Sequence, residues 1–447
     1  MIETLSRTWA LLLGVMFLMV GNGIQGTLLG VRGSMEGFST FQLSLVMSAY
    51  FAGFLGGSRF APDLIRRVGH VRVFAALGSF ISAILILYPT VTNPWAWIGL
   101  RVLMGFCFSG VYVTAESWLN NATSNANRGL ALSLYMVAQM IGIISAQGLM
   151  TATDPSGFIP FVIPSVLVSI AFAPILLSIT PTPAFERTRA MGVMELFRIS
   201  PLSCVGVFLL GGVFSTVFGM ASVYGGQTGL SVNQISTFVA AVYVGGLIAQ
   251  FPLGLLSDRI DRRRVILYAL AVGMCGGLLG AASGSYTLLV ISALIVGGTA
   301  NPLYGLFIAY GNDHLDADRM AAASGRFIFL NGIGATSGPL LTGWLMGVVG
   351  PVGFWFFIAA LYALLLVYGI YRSFRRPARR PADTGNYAPV LPVSTAVAVS
   401  AAQEYYVETS DEETGGNAGA TEEAPVDEET EPLPAPGAPA HETAAQS

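Results

Sequence analysis

Residues 254–264 read Gly-Leu-Leu-Ser-Asp-Arg-Ile-Asp-Arg-Arg-Arg and form a short charged segment between two long apolar stretches. Twelve such stretches divide the chain, and a helix needs roughly 20 apolar residues to cross a bilayer. The composition agrees, because 53% of the residues are hydrophobic and only 11% are charged, whereas a soluble domain carries about 25% charged residues. The sequence therefore predicts an all-α polytopic membrane protein with twelve transmembrane helices. The first six stretches begin near Trp9, Phe41, Val71, Trp95, Arg128 and Phe158, and six more follow from Pro201.

The arginines predict the orientation in the membrane, because they concentrate in alternate gaps between the apolar stretches. Loops rich in arginine remain on the cytoplasmic side, and the intervening gaps carry only Arg32. An even number of helices then leaves both termini in the cytoplasm. All 22 basic residues are arginine, which is typical of a GC-rich bacterial genome, so we expect a multi-pass protein of a bacterial inner (plasma) membrane. The arginine-rich gaps hold Arg59, Arg66, Arg67 and Arg72, then Arg187, Arg189 and Arg198, and then Arg259, Arg262, Arg263 and Arg264.

The apolar stretches fall into two sets of six. A connection at 181–200 separates an N-terminal bundle at 1–180 from a C-terminal bundle at 201–376. The sets resemble each other, because Tyr112 precedes Arg128 in the first as Tyr304 precedes Arg319 in the second, with spacings that differ by one residue. Duplicated six-helix units are a known construction of secondary transporters, which bind their substrate between the halves.

The segment 377–447 differs from the rest in composition. Pro, Ala, Gly, Glu and Thr dominate it, and all 22 arginines of the chain lie before Pro381. Such a segment buries too little apolar surface to order itself, so we expect a disordered acidic cytoplasmic tail. It is either a solvated appendage, or it binds an unknown partner or folds back onto the cytoplasmic arginines.

The charged segment at 254–264 resembles the signature loop of the major facilitator superfamily, with Gly254, Asp258, Arg259, Arg262 and Arg263 at the family's positions. Asp261 replaces the second glycine of the family's pattern. The resemblance implies two pseudo-symmetric six-helix bundles and a loop that latches one conformation, although the arginines could equally serve orientation alone. The chain most resembles poorly characterised bacterial sugar-transporter-like and metabolite-exporter permeases. A degenerate counterpart in the N-terminal half consists of Asp63, Arg66, Arg67, Gly69 and Arg72.

One side of the fourth predicted helix carries Arg101, Tyr112 and Glu116. An arginine inside the membrane is costly next to lipid, so Arg101 is the leading candidate for binding an anionic or hydroxyl-rich solute. Glu116 could couple transport to protons, or it could pair with Arg128 or a loop arginine as a cytoplasmic gate. Arg319 is the gate candidate of the second half, by analogy with Arg128.

Further polar residues lie at depths where a solute cavity is expected. Each could bind a solute or could hydrogen-bond a neighbouring helix. These cavity candidates are Asn22, Gln25, Gln139, Tyr243, Gln250, Asn301, Tyr304 and Asn331.

The motifs that the chain lacks narrow the function. It contains neither a Walker-type phosphate loop nor a nucleophile motif, so we expect neither an enzyme nor an ATP-driven pump. His314 lies among carboxylates, but their spacing fits no metal site. We therefore predict no cofactor, no metal and no nucleic-acid partner. The expected partners are a small solute, the lipid bilayer and, if Glu116 couples, protons. The resemblance implies a secondary active transporter with alternating access; the alternatives are an efflux pump for apolar toxic compounds and a non-transporting sensor or scaffold that acts through its acidic tail.

Overall fold

The computed structural model describes residues 2–123, 127–176, 191–375 and 387–419, and these residues form fourteen α-helices and no strand. Nine of the helices in these ranges are long and apolar enough to cross a membrane. The prediction of an all-α polytopic membrane fold is confirmed. The first six helices are α1 (Ile2–Met35), α2 (Thr40–Val68), α3 (His70–Thr90), α4 (Pro94–Ala122), α5 (Arg128–Thr151) and α6 (Ile159–Leu176). The rest are α7 (Val193–Ile199), α8 (Pro201–Gln227), α9 (Val232–Arg259), α10 (Arg262–Ala282), α11 (Tyr286–Asn312), α12 (Ala317–Val349), α13 (Gly353–Arg375) and α14 (Ala396–Gly419).

The second helix of each half begins with the same N-terminal capping motif. Ser39 precedes α2, and its side chain accepts a hydrogen bond from the backbone N–H of Gln42. In return, the side-chain oxygen of Gln42 accepts a hydrogen bond from the Ser39 N–H. Ser231 and Gln234 form the same capping box before α9. A capping box satisfies two backbone donors that the helix would otherwise leave free. Equivalent helices of the two halves thus start in the same way, as duplicated units would.

The same close helix crossing also occurs in both halves. A Cβ atom built on Gly105 of α4 would lie 1.9 Å from the carbonyl oxygen of Tyr50 on α2. In the second half, a Cβ atom on Gly297 of α11 would lie 1.9 Å from the carbonyl oxygen of Val242 on α9. Only glycine permits such an approach, and small residues at contacts are how helices pack without a hydrophobic driving force. The two crossings fix α2 against α4 and α9 against α11.

The two halves touch directly at one end of the molecule. We call the end where α2 and α9 finish the arginine-rich end, and the other the opposite end. At the opposite end, Gln227 of α8 donates a 2.5 Å hydrogen bond to Thr40 of α2. Nearby, Ser222 of α8 donates to the carbonyl of Gly26 on α1 at 3.3 Å. The halves are therefore closed together there.

The predicted connection and tail are described in part. Of the connection at 181–200, residues 181–190 lie outside the described residues, and the remainder contains α7. Of the tail at 377–447, residues 377–386 and 420–447 lie outside them. Between these gaps, residues 387–395 lead into α14. Residues up to Ser410 belong to one compact unit with the helical bundles, and residues 411–447 form a second unit. The part at 387–407 thus packs with the body instead of standing apart from it.

Candidate functional site

Arg101 is the most deeply buried charged group of the N-terminal half. Its side chain on α4 is completely buried. The guanidinium donates a 2.9 Å hydrogen bond from Nη1 to Oε1 of Gln25 on α1, and Nε lies 3.4 Å from the carbonyl oxygen of Val46 on α2. Its Cζ atom lies 4.7 Å from the ring centroid of Tyr50, within the range of a cation–π interaction. Three helices therefore hold this guanidinium in place.

A chain of side-chain hydrogen bonds leads from Arg101 into the bundle. Gln25 accepts from Arg101 and donates through Nε2 to Oδ1 of Asn22 at 2.8 Å. Asn22 in turn donates through Nδ2 to the hydroxyl oxygen of Tyr112 at 2.8 Å. Four of the residues that the sequence singled out separately are thus linked in one buried network, which we call the Arg101 chain.

No carboxylate in the described part of the chain neutralises the charge of Arg101. Among the residues that the structure describes, no Asp or Glu side chain lies within ion-pair distance of it. A buried charge without a counter-ion is costly, and an amide oxygen supplies only a partial negative charge. A guanidinium in this state would gain from a carboxylate or phosphate group, which it can bind with two parallel hydrogen bonds.

The candidates of the C-terminal half present polar atoms that the described residues leave unsatisfied. Oε1 of Gln250, Oδ1 of Asn301, Oδ1 of Asn331 and the hydroxyl of Tyr304 are buried without a hydrogen-bond partner there. An unsatisfied buried polar atom costs about 1–3 kcal/mol, so a ligand that bonds to these atoms would be favoured. Tyr243 is buried on α9.

A narrow cavity between the halves brings the two sets of candidates near each other. It is lined by Tyr50, whose ring stacks on Arg101, and by Asn331 of the C-terminal half. No hydrogen bond among the described residues joins the Arg101 chain to Gln250, Asn301 or Asn331. Gln139 of α5 is buried, and among the described residues it likewise forms no hydrogen bond to the Arg101 chain. The remaining lining residues are Phe51, Phe54, Leu55, Phe214, Ile328, Gly332, Ala335, Pro392 and Val393.

Glu116 does not pair with Arg128, which was one of the predicted arrangements. Its carboxylate accepts hydrogen bonds from the hydroxyl of Tyr135 at 3.3 Å and from the backbone N–H groups of Thr395 and Ala398 at 3.1 and 3.3 Å. The Thr395 hydroxyl also donates to it. Arg128 instead forms a 2.9 Å ion pair with Glu404. Both gate candidates of the N-terminal half are therefore engaged by the segment 387–407.

Arg319, the gate candidate of the C-terminal half, lies at the start of α12. It forms an ion pair with Glu195 of α7. Both side chains are exposed, with 41% and 46% of their surface accessible. An exposed pair of this kind contributes about 0–1 kcal/mol. Arg319 thus connects the C-terminal bundle to the described part of the connection between the halves.

The signature loop between α9 and α10 is the centre of a buried charge network. Arg262 lies 2.5 Å from Asp313 at the end of α11 and 3.4 Å from Asp258, and its side chain is only 2% exposed. Asp261, the departure from the family's pattern, caps α10 by accepting from the backbone N–H of Arg263 at 3.0 Å. Aspartate is a favourable N-cap residue, so the substitution has a structural reason.

The other signature residues have distinct surroundings. Arg263 donates to the hydroxyl of Tyr310 at 3.2 Å. Gly254 allows the ring of Tyr387 to approach, because a Cβ atom there would lie 2.5 Å from that ring. Arg259 is exposed. Only part of the predicted latch is therefore buried, and that part centres on Arg262.

The counterpart in the N-terminal half is exposed. Asp63 pairs with Arg66 at 2.5 Å and with Arg59 at 3.7 Å, both on its own helix. Arg67 and Arg72 are exposed. Gly69 joins α2 to α3 with a φ of 90°, a conformation that glycine adopts without strain. The asymmetry between the two loops that the sequence suggested is present in the structure.

Two residues of this region, Tyr50 and Gln147, were not predicted from the sequence. Tyr50 was not selected, because an aromatic residue on an apolar helix is ordinarily a packing residue. Gln147 was also missed; it accepts a 2.9 Å hydrogen bond from Thr27 and donates to the carbonyl of Gly23. Gln147 could have been selected because it is a glutamine within an apolar helix, which is the reason that Gln25 was selected.

Comparisons with known proteins agree with this architecture. The sequence profile of the Major Facilitator Superfamily matches residues 11–227 and 203–403. An uncharacterized MFS-type transporter of Enterobacter sp. (strain 638) is 27% identical over 352 residues, which cover 77% of this chain and 90% of that protein.

Two solved structures share the fold. A variant of the nucleoside transporter NupG superimposes with a TM-score of 0.72 at 14% identity and covers 82% of this chain and 99% of its own. A bacterial homologue of the human lysosomal transporter Spinster, in an inward-facing and unoccupied conformation, gives a TM-score of 0.64 at 13% identity over 91% of this chain and 98% of its own. With the family profile matching most of its length, the chain belongs to the Major Facilitator Superfamily of membrane transporters.

Proposed function

We propose that the protein is a secondary active transporter that moves a small solute by alternating access. In this mechanism the two bundles rock about a central site, which opens to one side of the membrane at a time. The closed contact between α1, α2 and α8 at the opposite end supports the proposal, because it is one of the two gates that the mechanism requires.

The orientation and location follow from the distribution of arginine. We propose that the arginine-rich end faces the cytoplasm of a bacterial cell and that the protein lies in the plasma membrane. The apolar part of α1 begins at this end, and α13 finishes there with Arg372 and Arg375 in its last turn. The structure then corresponds to an arrangement closed toward the outside.

The observation that carries the substrate proposal is Arg101, which is buried and has no carboxylate partner among the residues that the structure describes. A solute with a carboxylate or phosphate group would neutralise it, and the Arg101 chain would orient the solute through Gln25 and Asn22. The unsatisfied oxygens of Gln250, Asn301 and Asn331 are acceptors, so the other end of the solute should carry hydroxyl or N–H donors. The proposed substrate class is a small anion with several hydrogen-bond donors.

Glu116 has two proposed roles that the arrangement supports to different degrees. As a gate residue it would bind a group at the cytoplasmic end of the path, as it binds the Thr395 N–H here. As a proton carrier it would change its protonation when its surroundings change between wet and dry. The gate role has the more direct support, since Glu116 already holds a segment that lies between the bundles.

A second candidate function is efflux of apolar compounds. Aromatic rings from both halves meet in the cavity, with the ring centroids of Phe51 and Phe214 at 6.4 Å. Such a surface could accept an apolar ligand. The two candidates differ in their need for Arg101, because a neutral apolar ligand gains nothing from a guanidinium.

The experiment is a thermal-stability screen of the purified protein with metabolites, sugars, organic anions and drugs. A ligand that binds only the folded state raises the melting temperature. We expect a saturable anionic hit that is lost in Arg101→Lys, because lysine cannot form the two parallel bonds, and kept in Arg72→Lys, an exposed arginine used as the control. A hit confined to neutral apolar compounds and unaffected by Arg101→Ala would favour efflux and contradict the anion proposal.

A further inference from the structure

The segment 387–407 lies between the two bundles at the arginine-rich end. Its apolar residues are buried in the same hydrophobic core as those of the transmembrane helices. The side chain of Val399 on α14 is completely buried, whereas Ala396 one turn earlier is exposed. The described part of the tail is therefore inserted into the body. Its buried apolar residues are Ala388, Val390, Leu391, Val393, Ala398, Val399, Ala401, Ala402 and Tyr406.

The C-terminal half binds this segment through residues that belong to the candidate site. The side-chain amide of Gln250 donates to the hydroxyl of Tyr387 at 2.5 Å. Nδ2 of Asn331 donates to the carbonyl oxygen of Pro392 at 2.8 Å. The side-chain N–H groups of Gln250 and Asn331 thus already donate to the segment, so they are not available to a solute while the segment is bound.

The signature loop and the end of α11 also bind the segment. Asp258 accepts from the backbone N–H of Tyr387 at 2.9 Å, and Asp313 accepts from the hydroxyl of Tyr406 at 2.7 Å. Gln403 donates to Oδ1 of Asn312 at 2.9 Å. The charge network around Arg262 is consequently shared with the tail.

The N-terminal half contacts the segment at the start of α14 and about two turns further on. Glu116 bonds to Thr395 and Ala398, so its carboxylate lies at the helix N-terminus, where backbone N–H groups and the helix dipole favour a negative charge. Glu404 forms its ion pair with Arg128. Both bundles therefore contact the same segment, from opposite sides.

We propose that residues 387–407 are an autoinhibitory plug, which closes the solute path at the arginine-rich end and holds the bundles apart there. The inference rests on the proposed alternating-access function. A rocking motion that brings α4 and α5 against α11 and α12 at this end requires the space that the plug fills. The plug must leave before the bundles close there and open at the opposite end, and solute and plug compete for Gln250 and Asn331.

The first test measures whether the plug protects the cavity, with N-ethylmaleimide as the probe and the full-length protein in liposomes. The three native cysteines are replaced by serine and a reporter is introduced by Asn331→Cys. We expect slow labelling of the reporter in this parent protein. Val399→Asp places a carboxylate in the buried face of α14 and should displace the plug. We expect the labelling rate of the reporter to rise by more than about 100-fold. Ala396→Asp places the same charge on an exposed position and should leave the reporter protected.

A charge exchange tests the same contact without altering the buried face. Glu404→Arg sets two positive charges against each other at Arg128 and should raise the labelling rate by about fivefold. The double exchange Glu404→Arg with Arg128→Glu restores an ion pair of opposite polarity and should restore protection. A misfolded protein would not recover in this way, so the exchange separates undocking from unfolding.

The second reporter tests whether the plug also holds the conformation. Ser222→Cys lies in the closed contact at the opposite end, where the parent side chain is buried. Displacing the plug by Val399→Asp should increase its labelling by maleimide, because the bundles then open there for part of the time.

Equal labelling of the Asn331→Cys reporter in the parent and in Val399→Asp would show that the segment does not close the path, and the proposal would fail. Exposure of position 331 without any change at position 222 would refute the conformational lock. Neither reporter depends on finding a substrate. Failure of the plug is therefore distinguishable from failure of the transport proposal, which would appear as a ligand screen without hits in a protein whose reporters behave as expected.

Discussion

Replacement of Asp313 by asparagine should destabilise the C-terminal bundle, whereas the same change at Asp63 should have little effect. Both aspartates pair with an arginine at 2.5 Å, Asp313 with Arg262 and Asp63 with Arg66. The pairs differ in burial. The side chains of Asp313 and Arg262 are 3% and 2% exposed, and those of Asp63 and Arg66 are both 36% exposed.

The expected magnitude follows from this difference. Removing one partner of a buried ion pair costs about 3–5 kcal/mol, because the other charge stays buried. Asp258 remains 3.4 Å from Arg262, so the lower figure of about 3 kcal/mol applies, which is roughly a 100-fold change in an equilibrium. The exposed pair of Asp63 contributes about 0–1 kcal/mol.

The chain offers its own reporters for the assay. Cys107 of α4 and Cys204 of α8 are buried, one in each bundle, and the exposed Cys275 can be replaced by serine. A thiol-reactive fluorophore then reports the temperature at which the buried thiols become accessible. We expect Asp313→Asn to lower the midpoint by about 6–12 °C, at 2–4 °C per kcal/mol for a unit of this size. Asp63→Asn should shift it by no more than about 4 °C.

Equal shifts for the two variants would refute the reasoning, since burial would then not decide the cost. The bond from Tyr406 to Asp313 must be separated from the ion pair. Tyr406→Phe removes that bond alone and should cost about 1 kcal/mol. If Tyr406→Phe destabilised the protein as much as Asp313→Asn, the stability would reside in docking of the tail and not in the pair with Arg262.

Three further substitutions test local features by the same fluorescence assay. Gly105→Ala should destabilise the protein by about 1–3 kcal/mol because its methyl group would clash with a backbone carbonyl of α2. Gly99→Ala on the same helix has open space and should stabilise the protein by up to about 1 kcal/mol. Similar effects of the two substitutions would contradict the close crossing. Gln25→Leu should cost about 1.5–3 kcal/mol, because Arg101 loses a hydrogen bond while buried; a neutral result would mean that the bond contributes nothing. Asp261→Ala should cost about 1 kcal/mol by removing the N-cap of α10, and Asp261→Asn should restore it; equal losses would argue against capping.

The starts of α2 to α6 and of α8 could be predicted because they depend on local sequence, whereas α7 and α14 were not predicted. Apolar length sets the membrane spans, and the gaps between them hold the charges. The side of α4 that carries Arg101 and Tyr112 could also be predicted, since helical periodicity places these residues together. Their link through Gln25 and Asn22 was not, because it joins two helices whose relative rotation depends on packing.

The docking of the tail could not be predicted from average composition. The acidic, proline-rich residues beyond position 410 dominate the average over 377–447 and conceal an apolar run. Residues 388–402 contain no charged side chain, and Val390, Leu391 and Val393 alternate with prolines and small residues. The composition averaged over a short window centred on this run does indicate an apolar, buried segment. The groove that binds the segment, however, forms only after both bundles fold.

The asymmetry between the two charged loops has a physical reason in the tail. Asp258 serves both Arg262 and the backbone N–H of Tyr387, and Asp313 serves both Arg262 and Tyr406. If the plug leaves as proposed, each carboxylate would lose one hydrogen-bond donor, and Arg262 would still be available to pair with both. In the exposed loop of the N-terminal half, Asp63 pairs with Arg59 and Arg66 of its own helix. Only the half whose loop borders the plug therefore needs buried carboxylates, and the latch and the plug should respond to the same substitutions.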